Sequence, residues 1–185
     1  VTTAVQTEQK GTGHAVACGL EGLDELHGEV VVTYGDVPML TGETLQRMVE
    51  AHRERRNLVT VLTAEVEDPT GYGRILREGE AVVGIVEHKD ADEAQRAVRE
   101  INSGIYVFDA EALREGVSKL SNDNVQGEYY LTDVVTMAAD GTVEVPGRGC
   151  VGAFRIDDVW QTEGVNDRVQ LARMNAEVNR RIVTG

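Results

Sequence analysis

A chain of 185 residues, 41% hydrophobic and 27% charged, with 20 glycines and three prolines, has the length and apolar content of one globular domain and excludes a disordered or collagen-like chain. Thirty-two acidic against eighteen basic side chains give a net charge of −14, which argues against a general grip on nucleic acid or anionic lipid; a small anionic ligand would need its charge met locally. No run approaches the roughly 18 to 20 apolar residues of a membrane span.

In chain order, "VTTAVQTEQK" reads as the tail of a strand entering a loop, and a start at Val1 suits a truncated chain. Gly13 to Leu23 is predicted helical behind a glycine turn. Glu29 to Thr33 is a β-branched block of the kind found in a parallel sheet covered on both faces. Thr41 is placed to cap a helix from about Glu43 to Arg55, with Leu45, Met48, Val49 and His52 on one face.

Leu58 to Val66 is a predicted strand, followed by a loop in "EDPTGYGRI". Arg74 to Arg77 and Ala81 to Glu87 suggest a hairpin turning at Glu78-Gly79, Ala91 to Arg99 a polar helix, and Ile101 to Phe108 a strand. Asp109 can cap the helix in "DAEALREGVSKL". A helix near Leu131 to Ala139, weak strands at Thr142 to Val145 and Cys150 to Ile156, and a last helix from Asn166 with Leu171, Met174, Val178 and Ile182 in one stripe complete the pattern. The alternation of strand and helix signals predicts an α/β fold in a single domain.

Four constellations could carry chemistry. Gly11-Thr12-Gly13 before a helix can offer N–H groups to a base edge or a phosphate, or be only a tight turn. Tyr34-Gly35-Asp36 lies beyond the carboxyl end of a strand, where open sheets bind ligands. An aspartate facing phosphates needs a divalent cation between them, so Asp36 is either a magnesium ligand or a turn residue bonded to its own loop. Gly73, Glu87 and Asn102 combine a bare backbone with ionised and neutral acceptors, which suits the hydroxyls and amide of a sugar. Asn166 in "EGVNDR" is either a helix N-cap or a ligand. Cys18 and Cys150 match no metal-ligand spacing and read as reduced thiols, and the four histidines form no zinc set.

Taken in order, "QTEQKGTGHAV", "VVTYGDVP", "DPTGYGRI", "GIVEHKDA", "EINSGIYVFD", "NVQGEYYLTDV" and "EGVNDRVQLA" resemble one family, the uridylyltransferase domain of bacterial bifunctional N-acetylglucosamine-1-phosphate uridylyltransferase/glucosamine-1-phosphate acetyltransferase. Seven segments in order are far more specific than any one of them. The resemblance implies a Rossmann-like nucleotidyltransferase sheet flanked by helices, incomplete at its N-terminus, with residues 1–185 forming part of that domain. It implies transfer of uridylyl from UTP to N-acetylglucosamine 1-phosphate, giving UDP-N-acetylglucosamine and pyrophosphate with Mg²⁺, in the cytoplasm and in the service of peptidoglycan synthesis.

Carried over by position, Gln6, Gly11 and Thr12 would hold the uridine, and Tyr34 and Gly35 would line the nucleotide. Gly73, Glu87 and Asn102 would hold the N-acetyl sugar, and Asp36 and Asn166 would bind the metal. No side chain is assigned as a catalytic acid, base or nucleophile, because transfer of this kind rests chiefly on positioning and charge neutralisation. The family's L-x-x-G-x-G-T-R-M signature, its phosphate-contacting lysine and its hexapeptide-repeat β-helix have no counterpart in these 185 residues. The expectation is therefore a fragment of impaired activity that forms no stable trimer. A different sugar-1-phosphate nucleotidyltransferase, or a non-catalytic sugar-nucleotide-binding module on the same fold, is the alternative.

Overall fold

The computed structural model describes residues 2–23, 25–149 and 151–184. Residues 2–10 carry no strand, contrary to the expected strand tail. Helix α1 (Thr12–Glu21) follows Gly11, whose φ of 100° opens the turn; β1 (Glu29–Val32) and α2 (Gly42–Arg55) come next. The oxygen of Thr41 accepts from Thr44 N at 3.1 Å and caps α2, as its sequence position predicts. Glu43 in the first turn and Arg53 and Arg55 in the last complement the helix dipole, and Arg56 at φ 53° ends it.

Strand β2 (Val59–Glu65) precedes the hairpin of β3 (Gly73–Glu78) and β4 (Ala81–Val86). The short α3 (Glu93–Arg96), β5 (Glu100–Asp109), α4 (Ala110–Ser118), α5 (Thr132–Ala139), β6 (Val151–Ile156) and α6 (Arg168–Thr184) complete the order, with a 3₁₀ turn at Val159–Thr162 between the last two. The predicted helix over Ala91 to Arg99 contracts to four residues: Asp92 and Gln95 form a capping box, but Arg99 is drawn into a bond with Val66 N beside the sheet. The predicted strand at Thr142 to Val145 does not form. Its apolar signal was burial without pairing, since Val143 is fully buried and its N–H donates to Met137 O at the end of α5.

The six strands form one mixed sheet in the order β4-β3-β5-β2-β6, with β1 also on β5. Among the described residues, only β2 and β6 pair in parallel. The expected parallel, doubly covered setting of Glu29 to Thr33 is therefore corrected: β1 pairs antiparallel with β5, and Val31 is 39% exposed. The β-branched run reflected a half-covered strand rather than a fully buried one.

Alternate residues of the central strands divide between two cores. Val59, Val61, Tyr106 and Phe108 pack with Leu113, Val134 and Val135 from α4 and α5; Leu62, Ile105 and Val107 pack with Met48 from α2. Helices thus cover both faces, the open α/β arrangement expected. Helix α6 corrects a further expectation. It buries Met174 and Glu177, whereas Leu171, Val178 and Ile182 are 47%, 38% and 73% exposed. Arg180 and Arg181 hold the Glu177 carboxylate at 2.6 Å and keep its pKa well below the usual range.

One irregularity makes the site. On one edge of β5, β3 pairs at Ile101 and Asn102, and β1 pairs from Tyr106 to Asp109. Ser103, Gly104 and Ile105 between them have no partner on that edge, so the end of β1 and the start of β3 face each other across a gap. Gly104 at φ 78° bends β5 there, and a Cβ on it would lie 2.1 Å from the Tyr34 ring.

Candidate active site

The gap opens into a cleft of about 570 Å³ lined by Thr12, Tyr34, Asp36, Gly73, Glu87, Asn102 and Asn166 from the expected set. These come from six separate stretches, and the loop after β1, the start of β3, the end of β4 and the first part of β5 bring most of them together. Gln6, Gly11 and Gly35 are not in its lining. Gln6 instead spends its amide on Gly11 O at 3.1 Å and His14 Nδ1 at 3.0 Å. Gly11 is required by packing, since a Cβ there would lie 2.6 Å from Tyr129 O; Gly35 has open space around it.

Asn102 is oriented by two bonds. Its Nδ2 donates to the Tyr106 hydroxyl at 2.8 Å and its Oδ1 accepts from Gly104 N at 3.0 Å. One N–H and one lone pair remain for a ligand. Glu87 accepts from Thr132 Oγ1 at 3.1 Å; burial pushes its pKa above the ordinary value, and the carboxylates of Asp90, Asp133 and Glu128 push the same way against that bond. The Tyr34 hydroxyl is pushed up by loss of solvent where it meets Gly104, with Glu87 and Asp36 adding to the effect.

Arg74 braces the cleft from behind. It is 1% exposed, donates to Tyr72 O and reaches His88 Nδ1 at 3.2 Å, tying the loop before β3 to the turn after Glu87. Burial pulls its pKa below the ordinary arginine value.

Asp36 and Asn166, 130 positions apart, meet at Gly164. A Cβ on Gly164 would stand 3.4 Å from Asp36 Oδ2 and 3.5 Å from Asn166 Nδ2, so the missing side chain leaves a small cradle between the two. Val165 N donates to Asp36 O at 2.9 Å and holds that approach. Asn166 is not the cap of α6: Asp167 Oδ1 accepts from Gln170 N at 2.8 Å, and Gln170 Oε1 accepts from Asp167 N and Asn166 N. The Asn166 side chain is thereby released from capping and projects at the cleft.

Among the described residues no group of three or more His, Cys, Asp or Glu could hold a metal by itself. One carboxylate, one amide and a cradle fit an ion that keeps several waters and takes its remaining ligands from phosphates, as Mg²⁺ does. The same cleft has carboxylates at Asp36, Glu87, Glu128 and Glu163 and, among the described residues, no lysine or arginine in its lining.

The lining also includes Tyr72, Gln126, Tyr130 and Thr132, which sequence reasoning assigned no role. The signal for two of them was present in "EYYLTD": a polar segment directly before a helix whose first residue, Thr132, is 3% exposed. Gln126 Nε2 donates to the Tyr130 hydroxyl at 2.7 Å, fixing the loop over the cleft mouth. Of the cysteines, Cys18 is a free thiol and Cys150 lies outside the described residues. No helix among the described residues is long and apolar enough to cross a membrane.

A mixed sheet with helices on both faces and a polar cleft at a break in strand pairing suits a nucleotidyltransferase, and the chain belongs to the Nucleotidyl transferase family, whose model matches residues 1–154. It is 98% identical over 185 residues to the bifunctional protein GlmU of Cutibacterium acnes, covering all of this chain and 44% of that one. It is 54% identical over 184 residues to the bifunctional protein GlmU of Kineococcus radiotolerans, covering 98% and 36%. The chain therefore spans less than half the length of these relatives. A solved UDP-glucose pyrophosphorylase complexed with UDP-glucose superposes with a TM-score of 0.66 at 20% identity, over 95% of this chain and 64% of that one, which establishes the likeness of fold.

Proposed function

We propose that residues 1–185 form the sugar-recognising part of a uridylyltransferase domain that joins UTP and N-acetylglucosamine 1-phosphate into UDP-N-acetylglucosamine with release of pyrophosphate. The observation that carries this reading is the convergence of Asp36, Gly73, Glu87, Asn102 and Asn166 on one cleft that has no cationic side chain in its lining. The identity to GlmU proteins supports it at the level of the family.

In this reading the uncovered backbone at Gly73 lets the sugar approach β3, where a Cβ would stand 3.2 Å from Ile85 and 3.5 Å from the Glu87 carboxylate. Glu87 accepts from sugar hydroxyls, and the oriented Asn102 amide pairs with an acetamido group. Such groups discriminate strongly, because a ligand lacking the matching polar atom leaves them buried and unpaired. Asp36 and Asn166 would hold Mg²⁺, which supplies positive charge to phosphate oxygens. The chain's own share of the reaction is to hold the sugar phosphate oxygen in line with the α-phosphorus of UTP and to keep water from competing. With no lysine or arginine in the lining, turnover by this chain alone should be severely impaired.

Titration of the 185-residue chain with UDP-N-acetylglucosamine and with UDP-glucose in Mg²⁺, followed by amide chemical shifts, tests the reading. Preference for the acetamido sugar, with shifts at Gly73, Glu87 and Asn102, is expected. Preference for UDP-glucose would refute the sugar assignment, and binding of neither would refute the site.

A further inference from the structure

The approach of Asn166 to Asp36 needs an explanation, because the chain from Asp157 to Asp167 contains only one short 3₁₀ turn and yet delivers Gly164, Val165 and Asn166 to the loop after β1. A single backbone bond, Val165 N to Asp36 O, joins the two at the point of contact. Ordering a strap of this length costs more conformational entropy than one hydrogen bond repays. Something else must hold it.

We infer that Gln161 is the positioning residue that sets Asn166 against Asp36, by latching this strap to the first turn of α2. Its Oε1 accepts from Thr44 Oγ1 at 2.6 Å and lies 3.2 Å from Thr41 Oγ1 and 3.3 Å from Thr41 N. Its Nε2 donates to Asp158 Oδ2 at 3.3 Å, and Asp158 is in turn paired with Arg181 of α6 at 2.7 and 2.8 Å. One side chain thus joins the α2 N-terminus to the strap and, through Asp158, to the last helix. Thr41 and Thr44 stand on the far side of the same loop that carries Asp36, and Thr44 is only 7% exposed, so the latch is anchored on a firm element.

The strap is pinned at Gln161 and at Val165, with the Gly164 cradle between the pins. Loosening the first pin leaves a longer free arc for the second to close, at a cost in loop entropy, and the spacing of Asp36 and Asn166 widens with it. The inference rests on the metal reading for its purpose but on the hydrogen bonds for its geometry. The two can fail separately.

The test uses this chain with Gln161→Leu, Gln161→Glu and, from the other side of the latch, Thr44→Val. Amide hydrogen exchange at Val165 reads the strap, exchange at Val61 and Val107 reads the core, and Mn²⁺-induced line broadening at the Asp36 and Asn166 amides reads the metal site. Trp160, the one tryptophan in the sequence, lies inside the 3₁₀ turn and reports on it by its emission. Gln161→Leu and Thr44→Val should raise exchange at Val165 at least tenfold with the core unchanged, red-shift Trp160, and raise the Mn²⁺ concentration for half-broadening at least fivefold. Gln161→Glu keeps the acceptor for Thr41 and Thr44 but sets a carboxylate beside Asp158 in place of the Nε2 donor, so it should raise exchange at Val165 by less than Gln161→Leu does.

Unchanged exchange at Val165 overturns the inference whatever the metal does. Faster exchange with Mn²⁺ broadening unaltered in Gln161→Leu but lost in Asp36→Asn also overturns it, since the metal site would then stand without the latch. Faster exchange in a chain whose parent form shows no Mn²⁺ effect supports the latch and overturns the metal reading instead.

Discussion

Gly164→Ala separates a metal site from a structural turn more sharply than loss of either ligand would. The added methyl would lie 3.4 Å from Asp36 Oδ2 and 3.5 Å from Asn166 Nδ2, which is ordinary van der Waals contact, and Gly164 is not among the glycines with positive φ. Nothing in the folded chain resists the substitution. A glycine replaced by alanine at a compatible backbone stabilises by roughly 0.4 to 1 kcal/mol through the unfolded state. For a chain of this length that is a rise in Tm of about 1 to 4 °C. The methyl nevertheless fills the space between the two proposed ligands, where an ion with oxygens at about 2.1 Å and its water shell would have to sit. A loss of at least tenfold in Mn²⁺ or Mg²⁺ affinity, about 1.4 kcal/mol, is therefore expected together with unchanged or higher stability. Calorimetric melting and Mn²⁺ line broadening on one sample measure both. Unaltered metal affinity in Gly164→Ala would refute the assignment of the cradle, and a fall in Tm of several degrees would show that the glycine serves packing.

Asp36→Asn should abolish the Mn²⁺ effect with little change in melting, because the Asp36 carboxylate is exposed and makes no hydrogen bond among the described residues. Glu87→Gln should weaken binding of the acetamido sugar nucleotide yet raise stability at neutral pH: a carboxyl whose folded pKa is raised costs stability whenever it is ionised, and the amide removes that cost. A lower urea midpoint at pH 7 would contradict this. His52 is fully buried, bonded through Nδ1 to Thr60 at 3.0 Å, and burial pulls its pKa from 6.5 to about 4. It is neutral in both states well above pH 6.5, so it contributes no pH dependence there; as pH falls from 6.5 towards 4 the unfolded chain takes up the proton first, and stability falls with it. Urea midpoints from pH 7 to 4 should show this limb flattened in His52→Leu, and an equally steep limb in that variant would sink the account. Gly104→Ala places a Cβ 2.1 Å from Tyr34 in a left-handed backbone and should cost about 1 to 2 kcal/mol from the backbone alone. In a Tyr34→Ala background the ring's share of that cost should disappear, which a double-mutant cycle in urea measures.

The sequence by itself determined the elements whose causes are local. Thr41 and Asp109 cap the helices they were expected to cap, because a side-chain oxygen reaches N–H groups two or three residues on whatever the rest of the chain does. The order of seven motifs was sufficient to reach the family, since order and spacing survive without knowledge of how strands pair. Asp36, Gly73, Glu87, Asn102 and Asn166 were likewise named from sequence, but as separate residues with bland alternatives.

Tertiary structure decided which of them meet. Strand direction is invisible in a run such as Glu29 to Val32, since period and β-branching are alike in a covered parallel strand and in a half-covered antiparallel one; pairing with β5 settles it. The outward stripe of α6 could not be read either, because Glu177 reaches the protein side only through arginines that neutralise it. The release of Asn166 from capping depended on a competition between two adjacent residues for the same helix end, won by Asp167 together with Gln170. Gln161 carried no sequence signal at all: a partly buried glutamine acquires a role only when the fold brings Thr41 and Thr44, more than a hundred positions away, to its amide oxygen. Local chemistry is written along the chain, whereas convergence across it arises from the packing of a sheet whose strands lie in an order different from that of the sequence.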